Sequence, residues 1–194
     1  MGPCRATVSV GGSLCLRARS PVGKRRQVRK VMPDSRFVLS PRGTNEIVGT
    51  RMFPASRETM FAALVEPATL FRWMWGSDEW RLTECVSQTH EGGQIRFVWS
   101  HADGRAMGLR GLYTVFSPPV RMVHTELFDE DWTGGETKIT TDLAEHGPWT
   151  QMVMTIEYTS QPVRDRILKS NMGAGMELSY ARLEALLRQG PAPL

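Results

Sequence analysis

Cysteine is scarce in this chain of 194 residues: Cys4, Cys15 and Cys85 are the whole set. Three thiols, two of them near the N-terminus, build no disulfide framework, and no C-x-x-C spacing offers a metal site. A reducing, cytoplasmic setting is expected. Long apolar runs are missing too, because no stretch approaches the ~20 consecutive apolar residues that a bilayer span requires. His90, His101, His124 and His146 are scattered without H-E-x-x-H or His-Cys spacing, so no metal is expected. G-x-S-x-G, a phosphate loop and G-x-G-x-x-G are all absent, which leaves nucleotide chemistry without support and no cofactor expected.

What is present is the balance of an ordinary globule, with 41% hydrophobic and 23% charged residues. The net charge of +4 divides unevenly. Residues 1–36 hold nine Lys or Arg against Asp34 alone, a net +8, whereas the remaining 15 bases and 19 acids leave the body at −4. A mildly acidic body argues against a nucleic-acid groove on the folded domain. The first 36 residues lack aromatics and any sustained period, and read as a disordered basic tail. Arg17 and Arg19 interrupt the one candidate for a secretory apolar core, although an Arg-rich, acid-poor leader also fits an organellar transit peptide. Met32 is an alternative start. The expected organisation is a tail over 1–36, a domain over 37–190 and a C-terminal tail over 191–194.

Along the body, β-formers from Thr44 to Phe53 end at Pro54 and predict a first strand. Ser56 stands at an N-cap position before Phe61, Leu64 and Val65 at helical spacing, and Pro67 then opens a second short helix over Leu70, Phe71, Trp73 and Met74. After Gly76 come strands separated by turn signals: Trp80 to Gln88, Gln94 to His101, Met107 to Phe116, Arg121 to Phe128, Thr137 to Ala144 and Trp149 to Tyr158. Pro162 opens a long helix in which Ile167, Leu168, Met172, Met176, Ser179, Leu183, Leu186 and Leu187 recur at three- and four-residue steps up to Gly190-Pro191. The fold class is α+β: a curved antiparallel sheet of about six to seven strands around a long C-terminal helix, with two short helices after strand one.

The stretch Arg51 to Leu64, Trp73 before Gly76, Gly92-Gly93, Asp103-Gly104, Gly108, Gly111 to Tyr113, Ser117 to Val123, Thr125-Glu126, Tyr158 and Gly175 together resemble the START-like (SRPBCC) superfamily with its helix-grip fold. Within it the chain is similar to the C-terminal domain of the activator of heat-shock protein 90 ATPase and its homologues. The resemblance implies a hydrophobic-ligand pocket between the sheet and the long helix, with family activities from lipid binding through polyketide cyclisation to chaperone assistance in stress response. Trp73-Met74-Trp75-Gly76-Ser77 departs from the Trp-Trp-Gly-Pro that the family often carries, and the short tail is no client-binding domain. Fold membership does not choose among these activities.

The lining expected for such a pocket is Trp73, Phe97, Trp99, Tyr113, Thr125, Met154, Ile156, Met172 and Met176, since methionine suits an adaptable apolar surface and fills irregular cores equally well. His124 and Glu126 share one face of their strand and Thr125 takes the other. The favoured arrangement is an exposed His124–Glu126 pair with Thr125 inward. The alternative turns the pair inward, where with Tyr113 it offers acid-base groups to a cyclase-like or hydrolase-like enzyme. The leading expectation is a binding module for a small apolar or aromatic ligand, as monomer or homodimer, with a chaperone as a second candidate partner.

Overall fold

The computed structural model describes residues 1–2 and 36–189. The chain divides into two units, Met1–Val31 and Met32–Leu194, and the second carries every element below. Apart from Met1, Gly2 and Arg36, the basic tail expected over 1–36 lies outside the described residues, as do Gly190 and the C-terminal tail over 191–194.

Eight antiparallel strands form one sheet in the order β1-β2-β8-β7-β6-β5-β4-β3. They are β1 (Val38–Arg42), β2 (Glu46–Phe53), β3 (Trp80–Ser87), β4 (Gln94–His101), β5 (Ala106–Ser117), β6 (Arg121–Phe128), β7 (Thr137–His146) and β8 (Trp149–Glu157). Strand β1 raises the count above the expected six to seven. It has almost no buried side chain to announce it, and Pro41 within it is tolerated because β1 is an edge. Gly43, at φ 51°, turns it into β2. The pairing of β2 with β8 joins the two ends of the body and places consecutive hairpins on the far side.

Between β2 and β3 lie α1 (Arg57–Val65) and α2 (Pro67–Trp73). The Ser56 hydroxyl accepts from the Thr59 amide at 3.3 Å, and Glu66 ends α1 while Pro67 opens α2 without needing a donor. The C-terminal helix expected as one piece is two, α3 (Gln161–Leu168) and α4 (Met172–Gln189). Ser170 makes the break: its hydroxyl donates to the Ile167 carbonyl at 2.7 Å and accepts from the Met172 amide at 3.2 Å, replacing helical bonds with its own.

The core lies between the sheet's inner face and the helices. Ile47, Phe53, Met60, Leu70, Leu109, Met152, Ile167 and Leu183 are all but sealed from solvent. Trp73 closes one end, its Nε1 donating to the Ala63 carbonyl at 3.0 Å and its ring stacking on Tyr180 at 5.6 Å.

Candidate functional site

Cross-strand register sorts the inner face into rows, because partners in adjacent strands project to one side. One row is Glu126, Thr137 and Tyr158's end of β8; the next is Tyr113, His124, Ile139, Ile156 and Ile47; the next is Met122, Thr141, Met154 and Gly49. Helix α4 crosses them in step. The Tyr158 hydroxyl reaches Met172 Sδ and the Tyr180 hydroxyl reaches Met154 Sδ, each at 3.7 Å. Eight helical residues from Met172 to Tyr180 rise about 12 Å, which matches the roughly 13 Å of four strand residues from Tyr158 to Met154. Met176, four residues from each helix anchor, therefore shares their face above the His124 row.

Beyond Tyr180, Arg51 fixes the helix electrostatically. Its guanidinium, 3% exposed, donates to Glu177 at 2.5 Å and to Glu184 at 2.8 Å, tying β2 to α4. On the far side Arg182 of α4 packs 3.6 Å over the Trp75 ring and donates to the Trp75 and Gly76 carbonyls, while Trp99 Nε1 donates to the Met74 carbonyl at 2.6 Å. The loop that departs from the family's Trp-Trp-Gly-Pro is thus held by α4 and β4 together.

The register reverses the expectation for β6. His124 pairs with Ile139 and Tyr113, and Glu126 with Thr137, all inward, whereas Thr125 pairs with Lys138, which pairs in turn with Glu157 on the outer face. Thr125 therefore does not line the interior. Alternation fixed which residues share a face; the pairing partners chose the face. Apolar Val123 gave no guide, since it pairs with Val115 and Thr140 on the outer side. A bulge between Tyr113 and Val115 shifts the β5 register at this point and brings Tyr113 opposite His124.

Three polar side chains consequently meet inside. His124 Nε2 lies 3.0 Å from Glu126 Oε1, with the two side chains 14% and 20% exposed. His124 Nδ1 is buried without a partner, and the Tyr113 ring stands edge-on to the imidazole at 5.8 Å. Tyr113 Oη shares a hydrogen bond with Ser87 Oγ at 2.9 Å. Burial pushes the Tyr113 phenol above its ordinary value against that hydrogen bond, and burial reinforced by the Glu126 charge does the same for Tyr158 and Tyr180. At neutral pH all three are neutral donors. Burial also lifts the Cys85 thiol to about 11, which makes it a poor nucleophile.

Of the other nominated residues, Phe97 and Trp99 are buried on β4 and meet edge to face at 6.0 Å, and Met154 and Ile156 are buried on β8. Met172 and Met176 stay half-buried on α4. Trp73 belongs to the closed end. Sequence reasoning missed Tyr180, which recurs four residues after Met176 and was legible by that spacing, and Ser87, whose role depends on a partner 26 residues away. It missed the Arg51–Glu177–Glu184 cluster for the same reason. Two surface clefts lie elsewhere, about 330 Å³ among Phe61, Val65, Phe116 and Pro118-Pro119, and about 230 Å³ among Val38, Thr50, Arg51 and Met52. Neither takes in a nominated pocket residue. Among the described residues no group of three or more His, Cys, Asp or Glu could hold a metal ion, and no helix is long and apolar enough to cross a membrane.

Residues 54–188 match the family described as activator of Hsp90 ATPase homolog 1-like protein. A crystal structure of a protein from Rhodobacter sphaeroides is 36% identical, covers 80% of this chain and 99% of its own, and superposes with a TM-score of 0.76. A solution structure from Arthrobacter aurescens is 20% identical over 80% of this chain and 92% of its own, with a TM-score of 0.69. The AHSA1 protein from Silicibacter pomeroyi is 18% identical over 75% of this chain and 99% of its own, with a TM-score of 0.61. The last two show the shared fold alone. Among curated proteins none matches the chain.

Proposed function

The chain belongs to the activator of Hsp90 ATPase homolog 1-like family, and from that premise we propose that its body binds a small, largely apolar ligand on the inner face of the sheet, beneath α4. One observation carries this reading: a partly exposed polar pair, His124 and Glu126, lies on the inner face in the rows of Tyr113, Thr137, Ile139 and Ile156 rather than on the outer surface. A purely structural interior gains nothing from a carboxylate there, since burying a charge costs several kcal/mol unless it is well paired. Apolar walls with a few convergent polar groups are the make-up of a small-molecule site. The half-buried methionines on α4 supply the adaptable side.

Native mass spectrometry of the protein purified from its own host tests the reading, with a bound small molecule as the expected result. Met176→Arg, which places a cation over the His124 row, is expected to abolish binding while the fold persists. Only the unliganded mass, together with no shift in melting temperature across a panel of lipophiles, would sink the idea.

A second reading, acid-base catalysis on the bound molecule, is favoured by the ring geometry of His124. If Nε2–H donates to Glu126, the unpartnered Nδ1 is left as a lone pair able to take a proton, with the carboxylate stabilising the imidazolium that forms. His124→Gln separates the readings: a loss of turnover with ligand affinity retained supports catalysis, and unchanged chemistry removes it.

A further inference from the structure

The charges around this site are one-sided. The buried charged side chains among the described residues are Arg51, Arg164 and Glu184. Both cations are committed: Arg51 to Glu177 and Glu184, and Arg164 to Asp165 and to the Gly43 and Glu46 carbonyls. Lys138 faces outward, where it pairs with Glu157. Glu126 is different. His124 engages its Oε1, while Oε2 takes part in no hydrogen bond among the described residues and is not sealed from solvent. Its negative charge also adds to the upward shifts of the Tyr113, Tyr158 and Tyr180 phenols.

The immediate neighbours of Glu126 suit a cation. Along β6 the next inward position after Glu126 is Phe128, whose ring packs against Trp132 at 4.9 Å, and both rings are half-buried. Met172, with its polarizable sulfur on the Tyr158 hydroxyl, lies above the same row. Aromatic faces beside a carboxylate attract an ammonium group through both the ring quadrupole and the charge. An incoming carboxylate finds repulsion from Glu126 and no uncommitted buried cation. The buried, unpartnered Trp132 Nε1 is a neutral donor and does not offset a full charge. The imidazole of His124 is already held by Glu126.

Resting on the binding reading above, we infer that the ligand carries a cationic amine as its head group, taken by the free oxygen of Glu126 beside the Phe128–Trp132 rings, with its apolar body along Met172, Met176 and Ile156. The site is selective against carboxylic acids of the same shape.

Titration calorimetry of the full chain with 4-phenylbutylamine, 4-phenylbutanol and 4-phenylbutyrate tests this, because the three differ only in the head group. The expected order is amine, then alcohol, then acid, with about a tenfold or greater gap between amine and alcohol, the worth of one charge-assisted hydrogen bond. Glu126→Gln should reduce that gap to within about threefold, while Glu91→Gln, which removes the same charge from an exposed turn, leaves it intact. Equal binding of all three, or tightest binding of the acid, overturns the amine assignment and leaves the binding site standing. Binding of none of them by the unaltered protein overturns both. The order seen with the unaltered chain decides the matter even if the Gln variant fails to fold.

Discussion

Raising the pH should destabilise this protein through its tyrosines. The chain has three, Tyr113, Tyr158 and Tyr180, and burial pushes each phenol up, helped by the Glu126 charge and, for Tyr180, opposed slightly by Arg51. The unfolded chain ionises its tyrosines near pH 10 while the folded one keeps them protonated, so this stability is complete below about pH 10 and is lost as the pH rises beyond it. For a phenol that stays neutral in the fold the loss is about 1.4 kcal/mol at pH 11, or about 3 kcal/mol for Tyr158 and Tyr180 together, a large part of a typical 5–15 kcal/mol total. The assay is urea unfolding followed by tryptophan fluorescence at pH 8 and pH 11, for the unaltered chain and for Tyr158→Phe/Tyr180→Phe. At pH 8 the double change should cost no more than about 1 kcal/mol, because both hydroxyls donate only to methionine sulfur, a weak acceptor. Between the two pH values the unaltered chain should lose about 3 kcal/mol more than the variant. Identical pH dependence would refute the reasoning, as would tyrosinate absorbance at 295 nm rising near pH 10 while fluorescence still reports a folded protein.

Other substitutions probe the remaining joints. Arg51→Met strips Glu177 and Glu184 of their shared cation, leaving Glu184 with Arg188 at 2.6 Å, and should lower stability by about 3 to 5 kcal/mol in urea unfolding; a loss under 1 kcal/mol would show the cluster to be ornamental. Gly111→Ala would set a Cβ 1.7 Å from the Thr125 carbonyl oxygen, backbone against backbone, and should cost about 3 kcal/mol or more by thermal melting. Trp99→Phe removes the donor to the Met74 carbonyl and should cost about 1 to 3 kcal/mol, with the loop at 74–78 gaining faster amide exchange. Thr125→Glu, opposite Lys138 on the outer face, should leave stability within about 1 kcal/mol and binding of the phenylbutyl probes unchanged; lost binding would place that side chain inward after all.

Much of the fold was legible before any coordinate. Ser56 and Pro67 gave the starts of both short helices, and the glycine pairs at 92–93 and 134–135 separated strands of clear alternation. Alternation put Phe97 with Trp99, and Met154 with Ile156, on one face of their strands, and all four side chains are buried. The misses have separate causes. β1 carries little apolar signal because one edge strand needs little. The break at Ser170 is invisible to periodicity, since Ile167, Leu168 and Met172 keep helical spacing across it while a single hydroxyl takes over the backbone bonds.

The sequence alone determined the local order: strand, turn, cap, the alternation on each strand, and a basic segment set apart from an acidic body. Those properties are written in neighbours a few residues apart. The sidedness of His124 and Glu126, the meeting of Tyr113 with Ser87, and the commitment of Arg51 to α4 were decided only by the tertiary structure. A strand offers two equivalent faces, and only pairing with distant strands, together with the helix laid across them, makes one of those faces the inside.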